Sequence, residues 1–265
     1  MTRPAVFVNS VPKSGTNLLQ KLMELSGVPY SQYSIADTTI HHRFKPLRRL
    51  LRGGSPHTSI DVGLFRRTDV SKRFLSSALD NTSNKYLTAH AGYSEKLAEL
   101  LIQKGCIPII VVRHPLAIID SHLRYFPKRP DIFYGRHIAN LPEEERLRTI
   151  LEGDAAAKIY PYAEALRRFV GWADRFPQSI IRFEDVVGSK GGGSDGKQLD
   201  TIQRILDATS TRVSAKLIAQ DLYGGTKTFD KGKIDSYTNN STIQSQLDEI
   251  RAASELYCNA FGYTV

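Results

Sequence analysis

Four places in the sequence hold residues able to act on a charged group. The first is Pro12-Lys13-Ser14-Gly15-Thr16-Asn17, between an apolar run at 5–8 and a helix-forming stretch at 18–23. A strand, a tight glycine turn and a helix start bring unpaired backbone N–H groups and the positive end of a helix dipole onto one point. Lys13 adds a mobile charge, and Ser14 and Thr16 add hydroxyl donors. Phosphate or sulfate belongs there. The second place is His90, at the end of the strand-like run Tyr86–Ala89. Imidazole, with an ordinary pKa near 6.5, accepts a proton at neutral pH. The third is Arg113, which closes the apolar run 106–112 and has the Ser121 hydroxyl on the helix that follows. A guanidinium fork matches phosphate oxygens. The fourth is Glu184-Asp185, after the strand-like run 179–183.

The elements that must position these residues are legible around them. Residues 106–112 are apolar on both faces, as in a central parallel strand, and Pro115 suits the first position of a helix running to about residue 126. An amphipathic helix over 94–104 carries Leu97, Leu100 and Leu101 and stops at Gly105. Residues 127–139 read as a loop. A helix starts near Pro142 and is interrupted or kinked at Pro161, and a second helix carries Leu166, Phe169, Val170 and Trp172. A Gly/Ser-rich loop at 188–196, helices at 197–208 and 212–220, a polar loop at 228–240 and a terminal helix at 241–260 complete the chain. Residues 28–85 read as irregular. Strands alternating with helices give an α/β fold: one domain over 1–265, with a central parallel β-sheet flanked by helices and a P-loop-like anion site. All four chemical places fall at strand carboxyl ends, where open parallel sheets bind ligands.

Composition narrows the function classes. The chain has 265 residues, 41% of them hydrophobic, enough for the core of one domain. Two cysteines exclude a disulfide scaffold and suit a reducing compartment. No apolar run is long enough to span a bilayer, and a strand entered at about residue 5 leaves no room for a signal peptide. A soluble cytoplasmic protein is expected. The net charge of +9 fits a small, highly charged anion as a ligand. The basic residues are dispersed and no nucleic-acid motif appears, so no nucleic-acid partner is expected. The basic turn 48–52 allows peripheral contact with an anionic membrane. His41-His42 lack partners at metal spacing, and no metal is expected.

The first stretch is not a nucleotide-triphosphate P-loop, because Lys13-Ser14 precede Gly15 and no glycine stands five positions earlier. Pro-Lys-Ser-Gly-Thr after a strand instead resembles the 5′-phosphosulfate loop of the sulfotransferases, which take a sulfuryl group from 3′-phosphoadenosine 5′-phosphosulfate (PAPS). Arg113 with Ser121 is similar to the family's 3′-phosphate site. Residues 229–237, Phe-Asp-Lys-Gly-Lys-Ile-Asp-Ser-Tyr, are similar to its cofactor lid, Arg-Lys-Gly-x-x-Gly-Asp-Trp. Lys231 and Gly232 match; Asp230, Asp235 and Tyr237 depart from the pattern, and Lys233 is a substitute cation. His90 falls at the family's base position, although Thr88 and Ala89 replace its Lys-Thr. Phe183 falls where members carry Tyr, and Leu18 replaces the adenine-stacking aromatic. The resemblance implies a metal-independent sulfotransferase acting on a hydroxyl or amine of a small-molecule acceptor. It implies Lys13 and His90 as catalytic residues. Cofactor contacts are implied for Lys13, Ser14, Gly15, Thr16, Asn17, Arg113, Ser121, Phe183, Lys231, Gly232 and Lys233. The alternatives are a phosphotransferase with an unusual anion loop and a non-catalytic nucleotide- or nucleic-acid-binding protein.

Overall fold

The computed structural model describes residues 3–35, 59–224 and 233–265. In chain order these form β1 (Val6–Ser10), α1 (Thr16–Leu25), β2 (Tyr30–Ile35), β3 (Ser59–Asp61), β4 (Asp69–Ser71), α2 (Lys72–Asp80), β5 (Tyr86–Ala89), α3 (Glu95–Gln103), β6 (Ile107–Val112) and α4 (Pro115–Tyr125). There follow α5 (Phe133–Ile138), α6 (Glu143–Glu152), α7 (Tyr162–Arg175), β7 (Ile180–Arg182), α8 (Phe183–Val186), α9 (Asp195–Ala208), α10 (Ala215–Leu222), α11 (Ser241–Ser245) and α12 (Leu247–Phe261). His41-His42, the basic turn 48–52, Lys231 and Gly232 lie outside the described residues.

β2, β5, β1, β6 and β7 form, in that order, one five-stranded sheet in which every pairing is parallel. β3 and β4 make a separate antiparallel pair. The side-chain period of two explains why the central strands are apolar throughout. Val6, Val8, Ile109 and Val111 point to one face, with Leu19, Leu22 and Ile205. Phe7, Leu87, Ile110 and Val112 point to the other, with Leu97, Phe169, Trp172 and Tyr257. Each face of β1 is thereby sealed under helices, and β1 itself is wholly buried. Because all five strands run the same way, the residues that follow β1, β5, β6 and β7 emerge along a single edge of the sheet.

Several expectations need correction. The segment 28–85 is not irregular: β2 adds a strand to the main sheet, and α2 is a regular helix. The loop 127–139 contains α5, whose Tyr134 ring packs on Phe126 at 4.8 Å and on Phe65 at 5.3 Å. The helix from residue 143 stops at Glu152, well before Pro161, because Gly153 turns left-handed at φ 74° and Asp154 bridges back to Ile159. The terminal helix is two, broken at Gln246.

Candidate active site

The β1–α1 connection, residues 11–15, is a turn with two left-handed residues. Lys13 has φ 72° and Gly15, the residue preceding α1, has φ 112°. Positive φ is costly for lysine, so surrounding contacts must hold the loop. His122 supplies one: its Nε2 lies 2.9 Å from the Pro12 carbonyl, which only accepts, so this nitrogen carries the proton. Arg113 supplies another, donating from Nη1 to the Lys13 carbonyl at 3.0 Å. Gly15 is required twice over. Besides its φ, a Cβ there would stand 2.7 Å from Cδ2 of Phe183. The loop thus rests on the Phe183 ring, and α1 aims its first-turn N–H groups into the space above.

His90 is positioned by the strand beside it. Asn9, fully buried on β1, clamps Ala91 by donating to its carbonyl at 3.0 Å and accepting from its N–H at 2.8 Å. The His90 N–H donates to the Ile35 carbonyl at 2.7 Å. His90 Nδ1 lies 2.9 Å from the Ser10 carbonyl, so Nδ1 holds the proton and Nε2 holds the lone pair. Among the described residues Nε2 has no partner. Burial pulls the His90 pKa below its ordinary value, the Lys13 charge adds to this, and the Ser10 carbonyl opposes it. A neutral ring with an unbonded Nε2 is a proton acceptor. The Ser10 hydroxyl continues the chain to Thr16 Oγ1 at 2.5 Å, tying the histidine to the start of α1.

Arg113 emerges from β6 into a buried position, only 6% exposed. Its guanidinium lies 4.4 Å above the Phe183 ring, and Nη2 donates to the Lys233 carbonyl at 2.8 Å. Burial lowers its pKa from the ordinary value, with Glu184 acting against that. Arg113 therefore links the anion loop to the segment after residue 232. Ser121 is buried on α4, the helix that Arg113 introduces. Lys13 Nζ sits 3.8 Å from the centroid of the Tyr125 ring, at the far end of that helix.

The structure thus brings the loop 13–17, His90, Arg113 and Phe183 to one edge of one sheet. Phe183 lies under the loop and the arginine, packed against both. The Lys233 side chain is exposed, and it is the carbonyl that meets Arg113. Glu184-Asp185 belongs to the framework: Glu184 accepts from the His114 N–H and the Tyr263 hydroxyl, both at 2.8 Å, and Asp185 pairs with Lys197 at 3.6 Å. Sequence reasoning passed over Ser10 and Asn9, which orient His90, and over His122 as a support of the loop. A buried asparagine two positions before a loop residue gives no pattern by itself. Among the described residues no helix is long and apolar enough to cross a membrane, and no three His, Cys, Asp or Glu side chains cluster as metal ligands.

No protein-family model matches this chain, and no curated protein matches it in sequence. Solved structures match it in fold. Mouse sulfotransferase SULT7A1 complexed with PAP is 16% identical, with a TM-score of 0.54 over 98% of this chain and 85% of that one. Retinol dehydratase in complex with retinol and PAP is 13% identical, with a TM-score of 0.56 over 99% of this chain and 84% of that one. The same enzyme with androsterone and inactive cofactor PAP gives 14% identity and a TM-score of 0.51, over 97% and 80%. The fold is that of the sulfotransferases.

Proposed function

We propose that this chain is a sulfotransferase that moves a sulfuryl group from PAPS to a hydroxyl or amine of a small-molecule acceptor. One observation carries the reading. A doubly left-handed anion loop, a neutral histidine with Nε2 unbonded and a buried arginine that touches the loop meet at one sheet edge. Two buried atoms fit an anionic ligand: Ser14 Oγ in the loop and Arg113 Nε beside it have no hydrogen-bond partner, a costly state unless a ligand fills it. Solved structures of the same fold hold PAP, and two of them also hold retinol or androsterone, which supports a 3′-phosphorylated donor and a small organic acceptor.

The donor supplies an activated sulfuryl group on its 5′-phosphate. The loop N–H groups with Ser14 and Thr16 hold that end, and Arg113 and Ser121, with Lys231 and Lys233 from the lid-like stretch, hold the 3′-phosphate. His90 Nε2 takes the acceptor's proton as the new S–O bond forms, while Ser10 keeps Nδ1–H in place. Lys13 offsets the charge that grows on the bridging oxygen as the 5′-phosphate leaves. A loose in-line transfer needs little more than this positioning and charge. Phosphotransfer is the weaker alternative, because it needs carboxylates for Mg²⁺ and Glu184 and Asp185 are engaged elsewhere. A reducing, cytoplasmic setting fits free Cys106 and Cys258.

The nucleotide test is thermal shift with 3′-phosphoadenosine 5′-phosphate (PAP), AMP and ATP, since a ligand that binds the folded state raises its stability. PAP should stabilise far more than the other two, and Arg113→Ala should abolish the preference. Equal stabilisation by AMP would remove the 3′-phosphate site.

A further inference from the structure

One buried carboxylate on α4 has no part in the proposed chemistry. Asp120, beside Ser121, is only 2% exposed. Its Oδ2 accepts from the Ser236 hydroxyl at 2.6 Å and pairs with Arg124, one helical turn on. Its Oδ1 accepts from Asn240 Nδ2 at 3.4 Å. A charge removed from water is tolerated only when its oxygens are satisfied, and two of the three donors come from a segment more than a hundred residues away.

That segment, 233–240, directly follows Lys231-Gly232 and touches the start of α4 at two more points. The Lys233 carbonyl receives Arg113 Nη2 at 2.8 Å, and the Tyr237 ring stacks on His114 with centroids 5.0 Å apart and planes 7° from parallel. Three side chains of one short stretch, Arg113, His114 and Asp120, therefore hold the segment at four residues, Lys233, Ser236, Tyr237 and Asn240. Asp120 provides the hold with the greatest directional demand, because a buried carboxylate cannot lose its donors cheaply. The Lys233 carbonyl in turn fixes one of the two outer nitrogens of Arg113 and the Lys13 carbonyl the other, so the orientation of the guanidinium depends in part on where the segment lies.

We propose that Asp120 is a positioning residue, an anchor that seats segment 233–240 on α4 so that the Lys233 carbonyl aims Arg113 at the donor's 3′-phosphate. This rests on the sulfotransferase reading above. The anchor bears first on the 3′-phosphate, because the segment touches Arg113 at Nη2 while Nη1 keeps its own bond to the Lys13 carbonyl of the β1–α1 loop. Its loss should therefore lower discrimination between PAP and AMP, which a general loss of stability would not do.

Ser236→Ala is the cleaner probe, because it removes one donor from the half-buried segment and leaves the Asp120–Arg124 pair intact. Asp120→Asn is the companion variant. Calorimetric titration at fixed salt should show PAP weakened roughly tenfold in Ser236→Ala, the weight of one hydrogen bond to a charged partner. AMP affinity should stay within about twofold, and Ser236→Thr should restore PAP binding. Hydrogen exchange of amides 234–240 should quicken in Ser236→Ala, with those of β1 and β6 unchanged. Equal weakening of PAP and AMP overturns the anchor, as does undiminished PAP preference in a variant whose segment exchanges faster. A wild-type protein that binds PAP no better than AMP overturns the nucleotide reading and this proposal with it; normal wild-type discrimination that the variants share overturns the anchor alone.

Discussion

Replacing His122 by phenylalanine should change how stability depends on acid. The ring is fully buried among Phe126 at 4.8 Å, Phe65 at 5.7 Å and Tyr162 at 6.4 Å. Burial drives its pKa down to about 3, with the Pro12 hydrogen bond opposing the shift and Lys13 reinforcing it. In the unfolded chain the ordinary value is near 6.5, so the unfolded state binds this proton first. A folded-state pKa below the unfolded one means that the stabilisation is complete above pH 6.5 and drains away as pH falls towards 3. The slope approaches about 1.4 kcal/mol per pH unit, or about 2–3 kcal/mol between pH 7.5 and 4.5. At pH 7.5 the phenylalanine variant should be the weaker protein by about 1–3 kcal/mol, because the Pro12 carbonyl loses its donor. By pH 4.5 the gap should close or reverse. Urea unfolding of both proteins at the two pH values measures this, and His90 and His114, shifted in the same direction by burial, are common to both. A stability gap that is the same at pH 7.5 and 4.5 would refute the buried neutral ring.

His90→Asn should leave PAP binding intact and lower kcat by roughly 10²-fold or more on an alcohol acceptor. Since burial lowers the His90 pKa, the acid limb of the wild-type rate should lie below pH 6.5 and vanish in the variant; near-normal turnover by His90→Asn would refute the base. Gly15→Ala places a Cβ 2.7 Å from the Phe183 ring at φ 112°, which should destabilise the protein by about 1–3 kcal/mol and weaken PAP and AMP alike, as calorimetry would show.

The candidate site was legible where residues able to do chemistry and strand ends coincide. Lys13, His90 and Arg113 each follow an apolar run, and parallel strands bring such residues to one edge without further information. The Gly15 turn and the Pro115 helix start were likewise local signals. What escaped the sequence depends on distance in the chain. β3 and β4 are three residues each, too short for periodicity to declare them, whereas β7, equally short, falls within the strand-like run 179–183. His122 and Asp120 look like ordinary helix residues, and their roles come from Pro12, Ser236 and Asn240, which only the fold brings near. The contact of Arg113 with residue 233 uses a carbonyl that every residue type possesses, so no side-chain pattern records it. Glu184 read as chemistry because it ends a strand, whereas its two oxygens fasten the start of α4 and Tyr263.

Transfer of label most directly tests the reaction. The protein is incubated with ³⁵S-labelled PAPS and a panel of alcohols, phenols and amines, and in parallel with γ-³²P-labelled ATP and Mg²⁺. Label from PAPS should appear on at least one acceptor, with PAP released in equal amount, and Lys13→Ala should suppress the transfer. Phosphoryl label on an acceptor from ATP, or no sulfuryl transfer by a protein that binds PAP tightly, would contradict a PAPS-dependent sulfotransferase.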